Sequence, residues 1–278
     1  MKTTAAINGK VVVITGGARG IGLATATTLH NLGAKVAIGD IDQAQVKQSG
    51  TALGLDSYGK LDVTDVESFC SFLDQVERQL GPIDVLINNA GIMPLGRIAD
   101  EPDTVTRRVL DINVYGVILG TKLAVQRMIP RRSGHIINVA SLAGETYIAG
   151  AATYCASKYA VIGFTDSARI ENRKTGVKFS LVLPTFVNTE LIAGTRELRG
   201  LKNAEPNDIA NAIAKLLVHP KPRVRVTKTA GAMVASRKFM PRSVAEGLNR
   251  RLGGERIFTR AINTAERQAY EARARGQA

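Results

Sequence analysis

The chain has 278 residues, 45% hydrophobic and 22% charged, and its 37 Lys and Arg outweigh 24 Asp and Glu to leave a formal charge of +13. This balance suits a soluble globular protein of one large or two small domains. Cys70 and Cys155 offer neither metal-site spacing nor a disulfide framework, so no metal is expected, and no apolar run reaches the roughly 18 residues of a membrane span.

In chain order, Lys10–Thr15 is a β-branched run ending in glycines and reads as a buried strand. Gly20–Leu32 has helical apolar spacing and stops at Gly33. Lys35–Gly39 is a second strand, and a helix starts near Asp42. Further strands are expected at Ile83–Ile87, His135–Ala140 and Lys178–Leu183, with helices near Asp65–Gln79, Pro102–Met128 and Thr153–Thr175. Arg223–Thr227 reads as an edge strand after Pro220-Lys221-Pro222. Such alternation predicts an α/β fold with a doubly wound, mainly parallel sheet and helices on both faces. The expected domain spans residues 7–228, followed by a basic helical extension, 229–278, that is not an independent domain. Residues 221–278 hold 14 Lys and Arg against 4 Asp and Glu, whereas the first 220 hold 23 against 20. The charge thus belongs to the extension, which argues against a nucleic-acid-binding body.

Gly16, Gly20 and Gly22 lie in the turn between the first strand and first helix, where glycine lets the backbone approach a pyrophosphate and the helix N-terminus favours its charge. Asp40 ends the second strand, placed to accept both ribose hydroxyls of an adenosine and to repel a 2′-phosphate. NAD is therefore expected over NADP, with Arg19 as the counterweight. Capping the next helix is the other use for Asp40, one that Asp42 serves equally well. Tyr154 and Lys158, four apart on a helix, share one face, and a hydroxyl from Ser141, thirteen residues upstream of the tyrosine, aimed at the same point could hold a carbonyl or alcohol oxygen. An ammonium beside a phenol favours the phenolate, turning a poor acid into a usable acid/base.

Taken together, these motifs make the chain resemble the short-chain dehydrogenase/reductase family over about residues 7–220. Thr15-Gly16-xxx-Gly20-x-Gly22 matches the family's cofactor turn, Leu61-Asp62-Val63-Thr64 its adenine-side motif, and Asn88-Asn89-Ala90-Gly91 the segment after the fourth strand. Asn113, Ser141, Tyr154 and Lys158 fall at the catalytic positions. The resemblance implies cofactor contacts from Gly16, Ala18, Arg19, Gly20, Ile21, Gly22, Asp40, Asp62, Val63, Asn89, Ala90, Gly91, Tyr154, Lys158, Val187 and Thr189. The family's Pro-Gly after strand six is here Pro184-Thr185, which narrows the space beside the nicotinamide.

By this resemblance, hydride passes between a secondary alcohol or ketone and the nicotinamide, Tyr154 acts as acid/base and Ser141 orients the oxygen. Lys158 holds the ribose and lowers the phenol pKa, and Asn113 holds a relay water. Bringing a phenol from about 10 to near 7.5 needs about 3.4 kcal/mol. Met93, Leu142, Tyr147, Phe186 and Leu191, with Ile92, Leu95, Ile148 and Ile192, form an apolar rim suited to a lipid-, steroid-, retinoid- or terpenoid-like substrate. A homodimer or homotetramer is expected through the two long helices flanking strand five. The location expected is cytoplasmic, since the first ten residues lack an apolar secretory core. The extension interleaves Arg237, Lys238, Arg242, Arg250, Arg251, Arg256 and Arg260 with Phe239, Met240, Leu248, Leu252, Ile257 and Phe258. It is expected to pack on the body or a partner subunit, with peripheral contact to anionic membrane as the second reading and nucleic acid the last. Two alternatives remain: an NADP-preferring carbonyl reductase, and a cofactor-binding scaffold without turnover.

Overall fold

The computed structural model describes residues 2–195, 203–236, 240–251, 258 and 264–277. Seven strands, β1 (Val11–Thr15), β2 (Lys35–Asp40), β3 (Ser57–Lys60), β4 (Val85–Asn88), β5 (Gly134–Val139), β6 (Val177–Pro184) and β7 (Arg223–Val226), form one sheet in the order β3-β2-β1-β4-β5-β6-β7. Every pairing is parallel. The strand order reverses between β1 and β4, so a crevice opens beyond their carboxyl ends, where open α/β sheets bind ligands.

Side-chain alternation along β1 splits the core between two layers. Val12 and Ile14 join Leu29 of α2 (Gly20–Asn31) and Ile209 and Ile213 of α8 (Pro206–Val218). Val11 and Val13 join Phe69, Phe72, Leu73 and Val76 of α4 (Val66–Leu80) on the other face. The short α1 (Lys2–Ile7) was not foreseen, and β3 and α8 were expected only through the numbering of their neighbours, without bounds; β3 has only four residues, and its Ser-Tyr-Gly-Lys sequence carries no apolar run.

Asp42 caps α3 (Gln43–Ala52) by accepting from Gln45 N, so Asp40 is not the capping residue. Asp65, not Asp62, caps α4. The helical run at 103–128 is α5 (Asp103–Leu110), a π-helical turn at Asp111–Tyr115, and α6 (Gly116–Met128). By length and composition this 26-residue run is apolar enough to cross a membrane, contrary to expectation, although half of its most apolar window is buried in the protein.

The long α7 (Ala152–Glu171) precedes β6. Glu145, whose side chain is 3% exposed, pairs with Arg223 and Arg225 of β7, and Arg223 also reaches Asp166 of α7 at 2.6 Å. Burial would raise the Glu145 carboxyl, but Arg225 and Arg223 hold it lowered. The edge strand is thereby fastened to the segment that follows Ser141.

The extension folds back on the body. In α9 (Lys228–Ser236), Ala230 and Val234 bury against Leu181 and Leu183 of β6. It is followed by α10 (Arg242–Arg251) and α11 (Thr264–Arg275). Arg237, Lys238, Phe239, Leu252, Arg256, Ile257 and Arg260 lie outside the described residues.

Candidate active site

The turn after β1 is built for close backbone approach. Gly16 has φ 64°, and a Cβ there would stand 2.8 Å from Ala90 Cα; one on Gly22 would stand 2.1 Å from the Gly16 carbonyl oxygen. Two side chains brace the turn. Thr15 Oγ1 accepts from Asn89 N (3.0 Å) and Ala90 N (3.1 Å), while Asn89 Nδ2 donates to the carbonyls of Thr15 and Gly16, both at 3.0 Å. α2 starts at Gly20 with no side chain capping its first amides, which leaves that end suited to an anion. These residues therefore fit the pyrophosphate of a dinucleotide.

Beyond the turn, Asp40 accepts from Ala18 N at 3.2 Å and Asp42 N at 3.1 Å. Burial raises its carboxyl above the ordinary value, opposed by those two amides and by Arg19. The Arg19 guanidinium turns to Asp42 (2.7 Å) and Gln45 (3.2 Å). Asp62 accepts from Thr64 N (2.9 Å) and Thr64 Oγ1 (2.6 Å). It lines the same cavity as Val63.

That cavity, of about 770 Å³, runs from Gly16, Arg19, Gly20, Ile21 and Asp40 past Asn89, Ala90 and Gly91 to Ser141, Tyr154 and Lys158. Val187 and Thr189 line it, as do all five predicted substrate residues, Met93, Leu142, Tyr147, Phe186 and Leu191. Ala18, Gly22 and Asn113 do not; they lie behind the wall, fully or almost fully covered. Leu95 also misses the cavity, buried in a cluster with Met93, Tyr154 and Phe258. The Phe258 and Phe186 rings meet edge to face, 5.6 Å between centroids.

The π-helical turn carries Asn113 inward. Its Nδ2 donates to Ile92 O (2.9 Å) and Ser157 Oγ (3.1 Å), and its Oδ1 accepts from Ile92 N (2.8 Å). The amide thus clamps the strand-four loop to α7. Ser157 Oγ completes the chain by donating to Tyr154 O at 2.7 Å. Ser157, between Tyr154 and Lys158, was not singled out from the sequence, because its bridging role needs a partner 44 residues away.

Lys158 is 4% exposed; its Nζ donates to Val139 O at 3.1 Å and lies 5.6 Å from the centroid of the Tyr154 ring. Burial lowers the ammonium to about 8. The phenol departs from expectation: burial pushes Tyr154 up to about 12, only partly opposed by the Ser141 hydroxyl. In the protein alone, withdrawal from water outweighs the help a phenolate receives. Ser141 Oγ also accepts from Ala143 N at 3.1 Å, which fixes its direction at the end of β5.

α11 closes the far side. Tyr270 lines the cavity, its hydroxyl accepting from Met93 N at 2.7 Å. Arg267, only 1% exposed, donates to Met93 O and Leu191 O at 2.5 Å each and stacks 4.7 Å from the Tyr270 ring centroid. Arg273 pairs with Glu190, and Arg275 donates to Leu95 O at 3.0 Å. The described end of the extension therefore packs on the body, and its arginines are spent on the rim of the site. Sequence reasoning missed these residues because Arg and Ala composition says nothing about the main-chain groups they meet. Among the described residues no group of three or more His, Cys, Asp or Glu is placed to hold a metal.

A sequence profile of the short chain dehydrogenase family matches residues 10–199. The chain belongs to the short-chain dehydrogenase family. Among curated relatives, galactitol 2-dehydrogenase of Agrobacterium fabrum is 39% identical over 215 residues, 75% of this chain and 83% of that one. An uncharacterized oxidoreductase of Staphylococcus aureus is 34% identical over 214 residues, 76% of this chain and 92% of the relative. The probable oxidoreductase EphD of Mycobacterium tuberculosis is 31% identical over 258 residues, 84% of this chain but 44% of the relative, so the chain spans less than half the length of that protein. The short-chain dehydrogenases bind NAD or NADP.

Proposed function

We propose that this chain exchanges hydride between a secondary alcohol or ketone and a nicotinamide cofactor, with NAD preferred and Tyr154 as the acid/base. What carries the reading is the convergence of Ser141, Tyr154 and Lys158 on one cavity that continues to the braced glycine turn. A nicotinamide bound there supplies a ring that accepts or releases hydride. The chain does the rest. The Gly16–Gly20 turn and the α2 amides hold pyrophosphate, and Val187 and Thr189 border the carboxamide. Asp40 receives the ribose hydroxyls. Arg19 is neutralised by Asp42, which supports NAD, because a 2′-phosphate would meet a carboxylate and a guanidinium already paired.

In reduction, Tyr154 O–H donates its proton to the substrate oxygen as the carbonyl carbon gains hydride; in oxidation the phenolate takes it back. Ser141 Oγ–H holds the same oxygen. Lys158, charged and buried, stabilises the phenolate as it forms. Asn113 and Ser157 fix the backbone around both.

The apolar walls given by Met93, Leu142, Phe186 and Leu191 favour a bulky apolar alcohol or ketone. One relative is named for galactitol, a polyol; the walls here support a different substrate. Leu110, Tyr115, Tyr159 and Ile170 are exposed on the helices flanking β5, which supports a homo-oligomer through them. Tyr154→Phe tests the central claim: turnover of an alcohol panel should nearly vanish while NADH binding, followed by fluorescence, stays within about threefold. Unchanged turnover removes Tyr154 from the chemistry.

A further inference from the structure

α11 meets the loop after β4 as a neighbouring strand would. Met93 and Leu95 lie two apart in that loop, and side chains of α11 answer all four of their N–H and C=O groups. Tyr270 OH accepts from Met93 N, Arg267 Nη2 donates to Met93 O, Glu271 Oε1 accepts from Leu95 N (3.1 Å) and Arg275 Nη2 donates to Leu95 O. Glu271 also pairs with Arg267 (2.6 Å) and Arg275 (2.8 Å) at i,i±4, so the donors and acceptors are locked together. Arg267 further reaches Leu191 O on the opposite rim. Tyr270 is therefore fixed in position.

Its hydroxyl has one further bond to make. The oxygen accepts from Met93, and among the described residues no acceptor is recorded for its proton. The residue is 8% exposed and lines the same cavity as Tyr154, and Met93, whose N–H it holds, packs in one buried cluster with Tyr154. A buried hydroxyl proton seeks an acceptor. Resting on the proposed function above, we infer that Tyr270 is a specificity-determining residue that donates a hydrogen bond to a second oxygen beside the reacting carbon, so the substrate class is an α-oxygenated ketone or its vicinal alcohol. The rest of that substrate meets the apolar walls.

Benzoin and deoxybenzoin, bulky ketones differing by one α-hydroxyl, test this by calorimetric binding to the full chain without cofactor, so no turnover is needed. The wild type should bind benzoin up to about tenfold more tightly, the upper range for one neutral hydrogen bond. Tyr270→Phe should shrink that preference below about twofold, with deoxybenzoin affinity within about twofold of wild type. Equal loss for both ligands would mean that Tyr270 only shapes the wall, and overturns the inference. So does an unchanged preference, no preference in the wild type, or failure of the wild type to bind either ketone. If Tyr270→Phe does not fold, benzoin methyl ether decides on the wild type alone: it keeps the acceptor and should retain the preference over deoxybenzoin, and losing it overturns the inference. A wild type that shows the preference yet reduces no ketone with NADH refutes the proposed function and leaves this contact standing.

Discussion

Replacing Lys158 with Met separates two roles that the ammonium could serve: holding a cofactor and stabilising a phenolate. The charge lies 5.6 Å from the centroid of the Tyr154 ring. At that separation, with an effective dielectric of about 20, a unit charge is worth about 3 kcal/mol to the phenolate, or about two pKa units. With its pKa lowered to about 8, Lys158 is mostly protonated at neutral pH, so this help is present where the enzyme would work. Oxidation needs the phenolate, and its rate should therefore rise with pH along an acid limb. Lys158→Met should move that limb of the kcat/KM profile upward by about two units and reduce oxidation near pH 7 by about 100-fold. The assay is NADH formation from a turned-over alcohol between pH 6 and 10.5, with each variant saturated in NAD. A profile lowered at every pH, with its limb unmoved, would refute the electrostatic role and leave Lys158 as a cofactor ligand.

The same lysine should make stability depend on pH. Its folded pKa is depressed, so the folded state binds fewer protons than the unfolded one, and stability should rise between about pH 8 and 10.5 by up to about 3 kcal/mol. Urea melts without cofactor should show this rise in the wild type and a smaller one in Lys158→Met. His135 works in the acid range: buried, with Nε2 2.8 Å from Ser180 Oγ, it is lowered to about 4, so charging it costs stability as pH falls below 6.5. From pH 7 to 5 the loss traceable to it should be about 2 kcal/mol, and His135→Asn should lessen it in the same melts. Gly22→Ala would drive a Cβ to 2.1 Å from the Gly16 carbonyl oxygen, so the turn must shift, and NADH affinity measured by fluorescence should fall at least about 30-fold. Arg267→Ala leaves the Met93 and Leu191 carbonyls without their donor; amide exchange should accelerate at residues 91–95 and 190–193, and KM for a ketone should rise with NADH affinity unchanged.

Legibility in the sequence followed the range of the interaction. β1 and β2 were readable because β-branched runs bounded by glycine describe a strand locally, and α4 because Phe69, Phe72, Leu73 and Val76 repeat at helical spacing. β3 was not, since Ser57–Lys60 is a strand only because β2 offers it a parallel edge. The glycine turn, Asp40, Ser141, Tyr154 and Lys158 were legible for another reason. Close backbone approach and proton transfer each admit few residue types, so spacing carries the information.

What the chain alone determined was therefore the order of its elements and the chemistry that its polar motifs permit. Tertiary structure decided the rest. Asn113 became a clamp on Ile92 and Ser157, Tyr154 was pushed up instead of down, and Arg267 left solvent for the carbonyls of two loops. Each outcome depends on burial and on partners many residues away. A side chain's identity states which bonds it can make, and only packing determines whether water, a charge or another main chain supplies the partner.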